Sequence, residues 1–123
     1  MIRIALLGST GSIGQQCLDL AQKLPDEIQV VGLGAGRNIE LLARQAKQFR
    51  PQLVTCAKPD DLDELKQLID DPTIELVAGD QGQEALATLS EADIVVAAVV
   101  GYAGLIGTLA AAKQGKRIAL ANK

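Results

Sequence analysis

In the stretch LLGSTGSIGQQ, residues 6–16, Gly8, Gly11 and Gly14 are spaced three apart directly after the apolar run IRIALL, and most of the residues between them are small. Glycines at that place let the chain turn sharply after a strand, bring backbone N–H groups against an oxygen-rich ligand, and enter a helix whose positive end faces that ligand. Gly8 then allows the turn, Gly11 the close approach of a pyrophosphate and Gly14 the packing of helix on strand. Ser9, Thr10 and Ser12 leave access open and carry hydroxyls that can donate to phosphate. The alternative is an ordinary tight turn with no ligand. The spacing G-x-x-G-x-x-G differs from the G-x-G-x-x-G of lactate-type dehydrogenases, and no Lys-Ser or Lys-Thr pair follows the third glycine, which disfavours a P-loop and nucleoside triphosphates.

The next unusual residues sit in GLGAGRNIE, where a protein that binds NAD would offer an acid to the ribose diol. Arg37 stands there instead. Its guanidinium can hold a 2'-phosphate through a charged contact, and Asn38 can add a hydrogen bond while capping a helix, so NADP is preferred over NAD. The competing view of Arg37 is a solvated surface cation. A further glycine-bearing turn, VVGYAGL, would bring Gly101 and Gly104 to the nicotinamide half of such a cofactor. Tyr102 invites comparison with the tyrosine of short-chain dehydrogenases, but Ile106 stands where their lysine belongs, so Tyr102 is expected to be an exposed or packing residue. The chain contains no histidine, which removes Ser-His-Asp and Cys-His relays. Cys17 and Cys56 form no C-x-x-C motif, so neither zinc nor a disulfide framework is indicated.

These residues need elements to hold them. Apolar runs at about 2–7, 28–33, 52–56, 74–78, 94–99 and 117–121 read as strands, mostly apolar on consecutive positions as in sheets covered on both faces. Between them, SIGQQCLDLAQKL places Ile13, Cys17, Leu18, Ala21 and Leu24 on one helical side, and Pro25 follows as a stop. Asn38 caps IELLARQAKQF, where Leu41, Leu42, Gln45 and Phe49 follow helical spacing. DDLDELKQLI opens with acids where a helix dipole favours them, and GLIGTLAAAKQG begins near Gly104 and closes on Gly115. Successive β-α units with right-handed crossovers predict an α/β fold: a Rossmann-like doubly wound parallel sheet of about six strands with helices on both faces. Ligands in such sheets lie outside the carboxyl ends of the strands where strand order reverses, and every unusual residue above falls at a carboxyl end.

The whole chain, 123 residues with 48% hydrophobic and 22% charged, suffices for a single domain spanning 1–123. A formal net charge of -3 offers no polybasic footprint for nucleic acid or an anionic membrane. No apolar run reaches membrane-spanning length and no leader precedes the first strand, so a cytoplasmic protein is expected. The final IALANK aims Asn122 and Lys123 at the ligand crevice with no helix after them, and a longer parent chain is expected.

Taken together, GSTGSIG, GAGRN, AAVVGYAGL and the terminal ALANK make the chain resemble, over its full length, the amino-terminal NADPH-binding domain of the 1-deoxy-D-xylulose 5-phosphate reductoisomerase family. The resemblance implies an enzyme that rearranges 1-deoxy-D-xylulose 5-phosphate and reduces the product with NADPH to 2-C-methyl-D-erythritol 4-phosphate, in non-mevalonate isoprenoid biosynthesis. It implies that Thr10, Gly11, Ser12 and Ile13 contact cofactor phosphates, that Gly36, Arg37 and Asn38 hold the 2'-phosphate end, and that Asn122 touches NADPH and Lys123 the sugar-phosphate substrate. Many members carry lysine where this chain has Arg37, and either cation suits a phosphate. Magnesium or manganese would be held by carboxylates of a catalytic domain in the longer parent, which would assemble as a homodimer in the bacterial cytoplasm or a plastid equivalent. Neither catalytic nor metal-ligating residues are expected within this chain, and fosmidomycin would mimic the substrate. Two alternatives are an NADPH oxidoreductase of the semialdehyde dehydrogenase type, which needs a catalytic cysteine and histidine, and a non-enzymatic dinucleotide-sensing module.

Overall fold

Consecutive apolar residues can all be buried in a strand when both faces of its sheet are covered, and β1 (Ile2–Leu7) shows how this chain does it. Ile4 and Leu6 pack on one face with Leu18, Leu42, Ala46 and Leu65, whereas Ala5 and Leu7 pack on the other with Leu86, Ala87, Val95 and Ala111. The structure, a computed structural model, describes residues 1–98 and 102–120. After β1 come α1 (Ser12–Lys23), β2 (Ile28–Gly34), α2 (Ile39–Phe49), β3 (Leu53–Cys56), a 3-10 turn (Pro59–Asp61), α3 (Leu62–Ile69) and β4 (Glu75–Ala78). The chain continues through α4 (Gly79–Ala87), β5 (Ile94–Ala97), α5 (Tyr102–Lys113) and β6 (Arg117–Leu120).

All pairings are parallel, in the order β4-β3-β2-β1-β5-β6, so the expected doubly wound sheet is present. Residues of α1, α2 and α3 build the core on one face, and residues of α4 and α5 build it on the other. Strand order reverses between β1 and β5, which places the switch point at the carboxyl end of β1, where the glycine loop begins. The β1–β2 register slips between Ile4↔Val30 and Ala5↔Gly32, so Val31 is an extra residue that bulges toward the α4 side.

Three differences from the sequence expectation concern the helices. GDQGQEALA forms α4, which periodicity does not announce because glycines and polar residues fill the whole of its first part, GDQGQE. The helix is held by close packing: a Cβ on Gly82 would lie 3.1 Å from Thr55 Cβ, and one on Gly34 of β2 would lie 2.7 Å from Leu86 Cδ2. Missing side chains there let helix and sheet approach. In α5 the helix begins at Tyr102, so Gly104 lies inside it, at a cost of about 1 kcal/mol relative to alanine. Leu24, expected on the buried side of α1, is its C-cap and is 36% exposed, because the chain has left the helical spiral there.

The capping expectations hold. Asn38 Oδ1 accepts from the Leu41 amide at 3.2 Å, and Gly115 closes α5 with a left-handed φ of 71°. The Gly115 amide donates to Ala112 O and the Lys116 amide to Ala111 O, the paired bonds of a Schellman ending.

Candidate functional site

Beyond Leu7 the chain turns at Gly8, whose φ of 88° is a left-handed conformation that side-chain-bearing residues rarely adopt. The amides of Gly8 and Ser9 both donate to Gly34 O, at 2.8 and 2.9 Å, which fastens the turn to the end of β2. Gly14 is buried one turn into α1, and a Cβ there would collide with Gly8 O and lie 2.8 Å from the backbone Cα and C of Ser9. The helix therefore rests directly on the loop. Gly8 and Gly14 each have an internal reason to be glycine.

Gly11 has none. Its φ of -76° and ψ of 173° suit any residue, it is exposed, and the nearest atom to an added Cβ would be Gly8 O at 3.8 Å. As the N-cap of α1 it supplies no side-chain hydrogen bond, and the first turn carries no acid. The Gln15 amide donates to Gly11 O at 2.9 Å, but among the described residues the amides of Thr10, Ser12, Ile13 and Gly14 find no acceptor. An uncapped helix start is a partial positive charge with orphan donors, the arrangement that binds phosphate oxygens. The empty space over Gly11 and these free donors fit a pyrophosphate.

Ser9 differs from its neighbours in the loop: it is fully buried, its amide and carbonyl are both engaged inside the protein, and its hydroxyl is buried with no hydrogen-bond partner among the described residues. The hydrogen bond from its amide to Gly34 O and the Gln45 bond to its carbonyl hold it inward. Thr10 is half-buried and Ser12 exposed, so their hydroxyls stay available.

The second part of the site adjoins the first through the end of β2. Gly36, Arg37 and Asn38 are exposed between that strand and α2, and no atom lies within 4 Å of a Cβ placed on Gly36. Among the described residues Arg37 enters no ion pair, and the Asn38 amide nitrogen has no acceptor, because only its oxygen serves the cap. A guanidinium and an amide donor thus stand free beside the glycine loop, the chemistry a 2'-phosphate requires. Gly101, Asn122 and Lys123 lie outside the described residues, as does the side chain of Tyr102.

Two glutamines that sequence reasoning did not assign to the site grip the loop from behind. Gln45 of α2, 6% exposed, donates from Nε2 to Ser9 O at 2.9 Å, and Gln15 of α1 donates to Thr10 O at 2.9 Å. A polar residue within the periodic apolar face of α2 was the available signal for Gln45. Burial pushes both the Cys17 and Cys56 thiols up, which disfavours the thiolate at either position. Among the described residues no cluster of three or more His, Cys, Asp or Glu could hold a metal.

An open parallel sheet with a glycine turn at its switch point and an uncapped helix start beyond it defines a Rossmann-like α/β protein. A family model for 1-deoxy-D-xylulose 5-phosphate reductoisomerase matches residues 4–123, and the chain belongs to that family. It is 52% identical to the 1-deoxy-D-xylulose 5-phosphate reductoisomerase of Acaryochloris marina, with all of this chain and 31% of that protein covered. It is 49% identical to the enzyme of the same name from Geobacter metallireducens, covering 32% of it. The chain thus spans about a third of the length of the curated relatives it matches.

Solved structures agree. The Zymomonas mobilis 1-deoxy-D-xylulose 5-phosphate reductoisomerase in complex with NADPH superposes with a TM-score of 0.91 at 39% identity, over 98% of this chain and 32% of that one. A reductoisomerase in complex with NADPH, fosmidomycin and magnesium superposes at 0.92 and 37% identity, over 99% of this chain and 30% of that one. Membership in this family displaces the semialdehyde dehydrogenase alternative. No helix among the described residues is long and apolar enough to cross a membrane.

Proposed function

We propose that this chain is the NADPH-binding part of a 1-deoxy-D-xylulose 5-phosphate reductoisomerase, which isomerises and reduces 1-deoxy-D-xylulose 5-phosphate to 2-C-methyl-D-erythritol 4-phosphate in non-mevalonate isoprenoid biosynthesis. The observation that carries the proposal is the acid-free, uncapped start of α1 at the switch point, beside a free Arg37 and the donor half of Asn38. Bound NADPH would supply the hydride for the reduction. The residues of this chain hold it: the amides of Thr10, Ser12, Ile13 and Gly14 take the pyrophosphate oxygens, with the hydroxyls of Thr10 and Ser12 beside them, and Gly11 leaves the approach open. Gly8 and Gly14 shape that cradle. Gly36 gives access to the 2'-phosphate, which Arg37 and the Asn38 amide clasp. Gly101 would border the nicotinamide, Asn122 would touch NADPH, and Lys123 would meet the sugar-phosphate substrate. Magnesium or manganese, the homodimer contacts and the remaining catalytic groups would belong to the rest of a longer chain working in the bacterial cytoplasm.

Arg37→Glu tests the cofactor assignment. Removing a charge-assisted contact and placing a carboxylate against the 2'-phosphate should weaken NADPH binding about 10- to 100-fold and leave NADH binding unchanged, as read by fluorescence titration. Equal affinity of the unmutated protein for the two cofactors would count against NADPH. Residues 1–123 alone, given NADPH, a magnesium salt and 1-deoxy-D-xylulose 5-phosphate, should bind the cofactor without oxidising it. Substrate-dependent loss of NADPH absorbance by that piece would refute the placement of the metal carboxylates elsewhere. A full-length protein that binds NADPH yet turns over no substrate would favour the sensing module.

A further inference from the structure

Gln45 stands two turns into α2, remote from the exposed face of the site, yet its side chain is 6% exposed and its Nε2 donates 2.9 Å to Ser9 O across 36 residues of sequence. A trans peptide is planar, and its C=O and N–H point in opposite directions. The Ser9 carbonyl and the Thr10 amide belong to one such plane. With the carbonyl drawn toward Gln45, the Thr10 N–H must point away from α2, and it finds no acceptor among the described residues. We propose that Gln45 is a positioning residue for the cofactor, fixing the Ser9–Thr10 peptide so that the Thr10 amide is presented to the pyrophosphate. The proposal rests on the NADPH reading above and goes beyond it, because the buried Gln45 acts through the Ser9–Thr10 peptide.

Two further observations support an orienting role over simple core filling. Gln45 Oε1 is buried without a hydrogen-bond partner, a cost that an apolar side chain of the same size would avoid, so the residue is kept for its donor. The neighbouring plane is held in the same manner, with Gln15 Nε2 donating to Thr10 O at 2.9 Å, but that bond is exposed to competing water. The buried glutamine is the firmer of the two clamps. Because α2 also carries Asn38 at its N-cap, one rigid helix connects the pyrophosphate cradle to the 2'-phosphate end.

The test is Gln45→Met in the full chain, a change that keeps the volume and removes the donor. NADPH and NADH should both weaken about tenfold, with their ratio unchanged, since they share the pyrophosphate. Binding of 2'-AMP, which carries the 2'-phosphate and lacks the pyrophosphate, should stay at the unmutated value. Thermal unfolding measured alongside verifies that the variant is folded at the titration temperature. Should it not be, Gln45→Asn, which keeps the amide but falls one methylene short, gives the same readout. Unchanged NADPH affinity in a folded variant overturns the role, and so does a matching loss for 2'-AMP, which would indicate general damage. An unmutated protein that binds neither dinucleotide overturns the NADPH reading itself, a separate and distinguishable failure.

Discussion

Gly11→Val is expected to abolish measurable NADPH binding while leaving the fold intact. The backbone at this position has an extended φ and ψ open to any residue, and the nearest atom to the new Cβ is 3.8 Å away, so the folded protein has room for the Cβ, while valine is a poorer N-cap than glycine. Valine also restricts the unfolded chain more than glycine does, which opposes any small loss. Stability should therefore change by less than about 1 kcal/mol. The branched side chain stands over the amides of α1, in the space the pyrophosphate would fill. Losing two charge-assisted hydrogen bonds at roughly 1.5 kcal/mol or more each corresponds to a loss of affinity of about a hundredfold or greater. Calorimetric titration with NADPH, paired with thermal unfolding, checks both halves. A stable variant with normal affinity would show that no ligand approaches this loop so closely.

The opposite separation is expected at Gly14, where alanine should damage the fold itself. Its Cβ would overlap Gly8 O and press on the Ser9 backbone, and neither neighbour is the far end of a flexible side chain that could swing aside. The Gly8–Ser9 segment is also tied to Gly34 O by two amides, so relief requires α1 to lift from the end of the sheet. Overpacking against backbone at such a junction costs about 3 kcal/mol, a large share of the stability of a small domain. Chemical denaturation should show this as a lower midpoint with a similar slope, and NADPH affinity should fall because the amides of α1 leave their places. A midpoint within experimental error of the unmutated protein would mean that helix and loop are not in the contact described. The two glycines lie three residues apart, and the variants are expected to separate binding at Gly11 from packing at Gly14.

The sequence made much of this legible, for a physical reason visible in particular elements. The apolar runs of β1, β2 and β3 are continuous because both faces of each strand are covered, and the helical faces of α1 and α2 repeat with the period of the elements themselves. Caps are local chemistry, so Asn38 and Gly115 could be placed from their neighbours in the chain. The resemblance also reached the family directly, since GSTGSIG and GAGRN are contiguous strings, and the match to residues 4–123 bears it out. What stayed hidden was decided between distant segments. The start of α4 is poor in apolar residues, and the helix is stabilised by fitting against Gly34 and Thr55, which lie more than twenty residues earlier in the chain.

By itself, then, the sequence determined the sheet class, the glycine turn at the end of β1 and the cationic residue beside it, because each depends on residue type and on spacing within β-α units. Tertiary structure alone decided which residues of the loop are buried and which stay open. Ser9 and Thr10 are chemically alike and adjacent, yet Ser9 is buried beneath the end of β2 and Thr10 opens to the crevice. That division follows from hydrogen bonds to Gly34 and Gln45, residues 25 and 36 positions away from Ser9, and no local periodicity encodes bonds across such a separation.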